Sequence, residues 1–510
     1  MAHKRVVERS SQDKQQRVFL SERSLGEVDI YRYRRQYGVN LGSWFVLERW
    51  ITDKPFREAS PPASSDFDVA TGNRPKEILE NHWDTWITDG DWKWFVDHGI
   101  NSVRLPIGYY HLYALDPAIV NGTSFNNVGW VFGGAWSRIW AAIEKAHSYG
   151  IGVLIGTSVL NRPLDLHAAP GKQNADAHSG VNGPITFYEK CNLEHTTKVL
   201  NVLAKQIANV PNVVGLELVN EPQNNRILGN WYEKTMNSLR NNIGMDLPLY
   251  ISDCWDTYPY AKLIENRDDF VVLDHHLYRC YTSDDMKQSG EQLAASLPPK
   301  ALIDGFGITK GNLVVAEFSA ALNPSSLRSS EPPEQDRQRR VFARAELECF
   351  QASTAGFWFW TYKKDNGWDA GWSLRDTVRA EIMPNYFGIR PEEREQSQEA
   401  NDERASQEAK LALAVHRDYW SQRGGKTSEN WRFEQGFIQG WKDAFLFFKF
   451  RSNSNGDSIN AVSELGFVGQ WLKNRTAEHV LGKGGSPNVW EFEHGFRQGL
   501  DKAKTYFVQG

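Results

Sequence analysis

From Tyr37 onward, short apolar runs alternate with longer stretches in which apolar residues recur at helical spacing. The runs are YGVNLGSWFVLE, GINSVRLPIG, YGIGVLIG, VVGLELVNEP, PLYISDCW, FVVLDHHLY, NLVVAEFSA and AGFWFWTYK. Continuous apolar cores such as Leu313 to Ala316 suit strands buried on both faces of a parallel sheet. The segments between them, WSRIWAAIEKAHSYG and QDRQRRVFARAELECFQAST among them, are amphipathic and read as helices. Eight such runs separated by helices predict an α/β fold closed into a (β/α)8 TIM barrel. An open doubly wound sheet is the alternative, but no run carries the G-x-G-x-x-G turn that such sheets often use for dinucleotides.

The same patterning divides the chain. Residues 1–30 are polar and predict a disordered lead, and 31–390 hold the barrel. The charged stretch PEEREQSQEANDERASQEAK, from Pro391, predicts a linker or solvated helix surface over 391–409. Beyond it, 410–510 read as a small helical repeat module. Glu434-Gln-Gly436-Phe437, Glu464-Leu-Gly466-Phe467 and Glu493-His-Gly495-Phe496 recur at intervals of about thirty residues. The first and third copies agree further, with a second Gly four residues after the first on one helical face, where a neighbouring helix could come close. The module offers no titratable constellation; it is either a packing appendage or a surface for a protein partner.

Composition narrows the function. With 58 basic and 63 acidic residues the net charge is −5, which argues against nucleic acid or anionic membrane as the main partner. No run reaches the length of a membrane span, and the N-terminus lacks the apolar core of a secretory signal, so a cytoplasmic enzyme is expected, with unconventional export or cell-wall association as the alternative. The four cysteines are scattered without a CxxC pair, which predicts neither a disulfide framework nor a zinc site. The Asn-x-Thr sequons at Asn121 and Asn474 are read as chance matches in the absence of a signal. Motifs of metalloproteases, P-loop proteins and serine hydrolases are missing. His275-His276 is no metal pair, because adjacent strand residues point to opposite faces.

Two glutamates carry the chemistry. Glu221 closes VVGLELVNEP, where Pro222 ends the strand, and Glu317 closes the run NLVVAEF. Carboxylates at the C-terminal ends of barrel strands face the open mouth, where a pair of them can cleave a glycosidic bond. A carboxylate ending an apolar strand is also costly to bury without partners.

These residues bear a resemblance. The chain from about Tyr37 to Pro384 resembles glycoside hydrolase family five, in particular its fungal exo-β-1,3-glucanase branch, through Asn220-Glu221-Pro222, VVAEF at Glu317 and the opening YGVNLGSWFVLERWIT. The resemblance implies a retaining β-glycosidase that releases glucose from the non-reducing end of β-1,3-glucan without a cofactor. Glu221 would be the acid/base and Glu317 the nucleophile. It further implies that Glu48, His167 and Asn220 contact the sugar nearest the cleaved bond. Arg104 and Tyr278 would support Glu317, with His276 beside them. Trp360 would be the sugar platform and Trp372 an additional wall. The negative charge of Glu317 would keep Glu221 protonated.

Three features depart from the branch. Nine extra residues, Gly156 to Leu164, separate the third strand from His167; Arg49 stands where proline is usual; and no secretion signal precedes the barrel. The alternatives are therefore a β-1,6-glucan or steryl or lipid β-glucoside hydrolase of the same fold, or a silenced carbohydrate-binding barrel.

Overall fold

A computed structural model describes residues 26–155, 165–327, 331–390, 397–423, 428–450 and 461–509. The chain divides into two compact units: Arg35–Gly388 with the segment ending at Ala461, and a second assembled from Ile389–Phe450, Val462–Gly510 and the segment ending at Arg34.

The first unit is the barrel. Its strands are β1 (Gln36–Asn40), β2 (Ser102–Arg104), β3 (Pro106–Gly108), β4 (Gly152–Ile155), β5 (Asp165–Ala168), β6 (Val213–Glu217), β7 (Leu249–Ser252), β8 (Val271–Leu277), β9 (Leu313–Phe318) and β10 (Gly356–Phe359). Eight of them close in the order β1-β10-β9-β8-β7-β6-β4-β2, every pair parallel, while β3 and β5 form a separate two-stranded ribbon. The eight apolar runs are these eight strands. Helices between them bury the stripe that the sequence marks; Ala135–Ser148 turns Trp136, Ile139, Ala142, Ile143 and Ala146 inward.

One irregularity positions the site. Between β8 and β9, His275 faces Val315 but His276 faces Glu317, so Ala316 is an extra residue on β9. The bulge is capped on both sides: the Ala316 amide donates to Oδ1 of Asp274 at 3.0 Å, and its carbonyl accepts from Nδ2 of Asn40 at 2.8 Å. A bulge leaves backbone groups without ladder partners, and these two buried side chains replace them.

The second unit includes the helix Glu27–Tyr33, which starts inside the stretch 1–30 that sequence assigns to a disordered lead and runs past its end. Its helices Gln398–Ser421, Asn430–Lys449, Val468–Lys483 and Val489–Gln509 cover most of the expected module. The first of these begins inside the expected linker, of which 391–396 lie outside the described residues. Ala405, Ala409 and Leu413 form a narrow buried stripe at four-residue spacing, which the charged surroundings hide in the sequence. Asn430–Lys449 and Val489–Gln509 are the first and third repeat copies, and they pack on their glycines. A Cβ at Gly436 would stand 2.0 Å from the Phe492 carbonyl, and one at Gly440 2.1 Å from that of Phe496. In return, one at Gly495 would stand 2.0 Å from the Phe433 carbonyl, and one at Gly499 2.0 Å from that of Phe437. Partner positions rise together along both helices, so the pair is parallel. The second match is not equivalent: Leu465 makes an antiparallel bridge to Arg34, and the following helix starts only at Val468.

Candidate active site

Arg104 is the centre of the site. It ends β2, is fully buried, and donates to four groups: Oε2 of Glu217 (2.9 Å), Oδ1 of Asn40 (3.0 Å), Oε1 of Glu317 (2.7 Å) and Oδ1 of Asn220 (2.6 Å). A planar guanidinium can hold several acceptors in fixed directions, which a lysine could not. Glu317 is held from its other oxygen by the Tyr278 hydroxyl at 2.7 Å. Burial and the adjacent Glu317 charge push the Tyr278 phenol well above its usual range, so it stays a donor.

Glu221 lies just beyond β6 with φ 42°, a left-handed conformation that costs a non-glycine residue energy. Nδ2 of Asn174 donates to its carbonyl at 2.9 Å. Its Oε1 is 2.6 Å from Nδ1 of His276, and its Oε2 is 3.8 Å from His178. His276 also lies 3.5 Å from Oε2 of Glu317 and reaches Oδ2 of Asp274 at 3.3 Å. One oxygen each of Glu221 and Glu317, and a nitrogen of His276, lie within 4.8 Å of one another.

Burial favours a neutral Glu221, but the hydrogen bond and charge of His276, with His178 and Arg104, outweigh it and hold the carboxyl below its usual range. Burial also opposes a charged His276, yet Glu317, Asp274 and Glu221 raise it well above the ordinary histidine value.

The remaining predicted residues border this centre. The His167 ring stacks on Trp360 with centroids 5.6 Å apart and lies 4.8 Å from the ring of His178. Gln173 ties the carbonyl of His167 to that of Asn220. His167 therefore stands at the site; the extra residues Gly156 to Leu164 lie outside the described residues. Asn220 keeps a buried Nδ2 without a hydrogen-bond partner, as Glu48 keeps Oε1. Burial pushes Glu48 up to about 8, although the Trp50 indole donates to it at 2.8 Å. Trp50 packs edge-on against Trp372, which adjoins Tyr278 and Tyr281, giving one wall of the mouth.

Sequence reasoning missed Asn40, Glu217, Asp274, Trp50, Tyr281 and the Gln173–His178 segment. Glu217 and Asp274 carried a readable signal, being acidic residues inside apolar strands. Burial, with Arg104 opposing and Asp274 adding to it, pushes Glu217 up to about 7. His275 points away as expected, pairing with Asp253 at 2.7 Å. Glu217, Asp274 and His276 also bring three ligand-type atoms together, as do Glu221, His276 and Glu317. A divalent ion at either place would have to displace Arg104 or the Glu221–His276 hydrogen bond.

Fold and site together define a glycosidase of the (β/α)8 type. Over 499 residues the chain is 30% identical to glucan 1,3-beta-glucosidase 3 of Schizosaccharomyces pombe, covering 92% of this chain and 95% of that protein. The chain belongs to the glucan 1,3-beta-glucosidase family. Residues 400–507 match the family model for the glucan 1,3-beta-glucosidase 3 C-terminal domain. A glucan 1,3-beta-glucosidase of Schwanniomyces occidentalis is 27% identical, over 70% of this chain and 89% of that one. The rutinosidase structure from Aspergillus niger shares the fold, with TM-score 0.52 and 17% identity over 69% of this chain and 98% of that chain.

Proposed function

We propose that the protein removes glucose from the non-reducing ends of β-1,3-glucan with retention of configuration, Glu221 serving as acid/base and Glu317 as nucleophile. The observation that carries this reading is the approach of Glu221 and Glu317 oxygens to within 4.8 Å. Retaining enzymes place the two carboxyls about 5 to 5.5 Å apart, whereas inverting enzymes leave room for a water between them at about 6.5 Å or more.

Glu317, oriented by Arg104 and Tyr278, attacks the anomeric carbon. The bond to the leaving oxygen breaks with its electron pair, and that oxygen takes a proton from Glu221. In the second step Glu221 takes a proton from water, the hydroxide attacks the anomeric carbon, and Glu317 leaves as carboxylate. The unpaired Nδ2 of Asn220 and Oε1 of Glu48 suit sugar hydroxyls, a donor for one and an acceptor for another. The relatives named as glucan 1,3-beta-glucosidases support the linkage.

The test is product analysis on laminari-oligosaccharides, with anomeric configuration followed by NMR. β-Glucose appearing first and alone is expected. Early α-glucose would overturn the retaining reading. Turnover only of β-1,6-glucan or lipid β-glucosides would overturn the substrate.

A further inference from the structure

Two consecutive side chains on the loop after β5 hold two consecutive carbonyls just beyond β6. Nε2 of Gln173 donates to the carbonyl of Asn220 at 3.2 Å, and Nδ2 of Asn174 donates to that of Glu221 at 2.9 Å. The Gln223 amide adds a third rung, donating to the Gln173 carbonyl at 2.9 Å. Both side chains are buried. The backbone they hold is strained, with Glu221 at φ 42°. Such a conformation persists at a non-glycine residue only where its surroundings over-determine it.

The loop is itself fixed, so it can serve as a template. Oε1 of Gln173 accepts the Ala169 amide at 3.0 Å, and its amide nitrogen also donates to the His167 carbonyl at 2.6 Å. Oδ1 of Asn174 accepts the Asp176 amide at 3.0 Å and the Ser179 hydroxyl at 2.5 Å. Those two donors mark the oxygen of the side-chain amide and leave Nδ2 facing Glu221. The same Nδ2 lies 2.9 Å from Nε2 of His178, the ring that borders Oε2 of Glu221. Lys172 donates to the Val181 carbonyl at 2.8 Å, tying the two ends of the loop together.

We infer that Gln173 and Asn174 are positioning residues for the acid/base: they brace the Asn220–Glu221 backbone in the conformation that carries the Glu221 carboxyl into the site. Asn174 is the principal brace, because it acts on Glu221 itself. Glu317 stands on β9 and is oriented by Arg104 and Tyr278, outside this brace. Loosening the brace therefore weakens proton transfer to the leaving oxygen and leaves nucleophilic attack in place. This rests on the retaining reading above and adds to it what fixes the acid.

The test is a series of aryl β-glucosides of decreasing leaving-group acidity, read as kcat/KM on the full chain. Asn174→Asp keeps the shape and the acceptor that binds the loop, and loses the donor. Dinitrophenyl β-glucoside, whose leaving group needs no proton, is expected to react within about threefold of the natural rate. Phenyl β-glucoside, which needs one, should lose about 100-fold, the effect of a displaced catalytic group. On the dinitrophenyl substrate azide, a nucleophile that needs no base, should raise kcat of the variant and not of the natural protein. Ser179→Ala removes one of the two bonds to Oδ1 of Asn174 and should shift the series the same way by less. It carries the test if Asn174→Asp does not fold.

Equal rates, or equal losses across the whole series, would overturn the inference, since a general disturbance of the barrel has no leaving-group preference. So would a crystal structure of Asn174→Asp with Glu221 unmoved at positive φ. A natural protein that cleaves aryl β-glucosides but not β-1,3-glucan defeats the substrate reading alone. Inactivity of the natural protein on every aryl β-glucoside defeats the acid/base assignment, and the brace with it.

Discussion

The barrel mouth and the paired repeat helices are held together in opposite ways. At the mouth, long charged side chains converge and each is fixed by partners: Arg104 has four acceptors, Glu317 is held from both oxygens, and His276 lies between carboxylates. Between the repeat helices no side chain intervenes at four positions, and backbone meets backbone over Gly436, Gly440, Gly495 and Gly499. A charged cluster fails when one partner is removed, because the others are left buried and unpaired. A glycine contact fails when anything is added. The same conservative change, one methyl more or one charge less, should therefore act on different regions.

The largest effect is expected from Glu317→Ala, which removes the nucleophile and should lower kcat on the order of 10⁴-fold. Retained activity with a folded barrel would sink the assignment. Arg104→Met comes next. It strands Glu217 and Glu317 without their cation, for a loss of about 3–5 kcal/mol in urea unfolding of the barrel. An unchanged midpoint would mean the network is cosmetic.

For the module, Gly436→Ala and Gly495→Ala should each cost about 1–3 kcal/mol, and by similar amounts because their contacts mirror each other. Gly482→Ala is the control. Nothing stands within 4 Å of its Cβ, and alanine favours a helix, so a gain of about 0.5 kcal/mol is expected. Equal losses at all three would refute close packing as the cause.

The smallest effect concerns pH. Glu48 has a folded value of about 8, above the usual 4.5, so the folded state binds this proton more tightly than the unfolded chain. Its contribution to stability is full below about 4.5 and is lost as pH rises through about 8. Glu48→Gln should flatten that fall, a gain on the order of 1 kcal/mol at pH 8 once solvent screening is allowed for. Parallel stability curves for the two proteins would reject a protonated Glu48.

The sequence was legible where one residue type does one job at a strand end. Glu221 and Glu317 stood out because a carboxylate closing an apolar run has few reasons to be there, whereas Arg104 and Tyr278 were marked by the family resemblance alone. Asp274 was visible as an acidic residue inside an apolar strand, but its contact with the Ala316 amide was not, since that depends on a bulge and register is not written in the pattern of a strand buried on both faces. In the module, Gly436 and Gly495 were readable as a close-approach face. Glu464-Leu-Gly466-Phe467 has similar letters but lacks the Trp-x-Phe turn upstream, and the chain there is a bridge rather than a helix. Ala405 and Ala409 were obscured by the charges around them.

The glycine contacts have the reciprocity of a twofold interface: Gly436 lies on Phe492 as Gly495 lies on Phe433, and Gly440 on Phe496 as Gly499 on Phe437. The rings around them repeat it, His416 stacking on Phe433 at 4.1 Å and His479 on Phe492 at 4.2 Å. The charges break the symmetry at one such pair, where Arg432 meets His479 while Glu491 meets His416. The module is in effect a homodimer written on one chain, with the connection between its halves supplying the effective concentration that two separate molecules would lack. Cutting that connection would turn folding of this unit into an association whose extent depends on dilution.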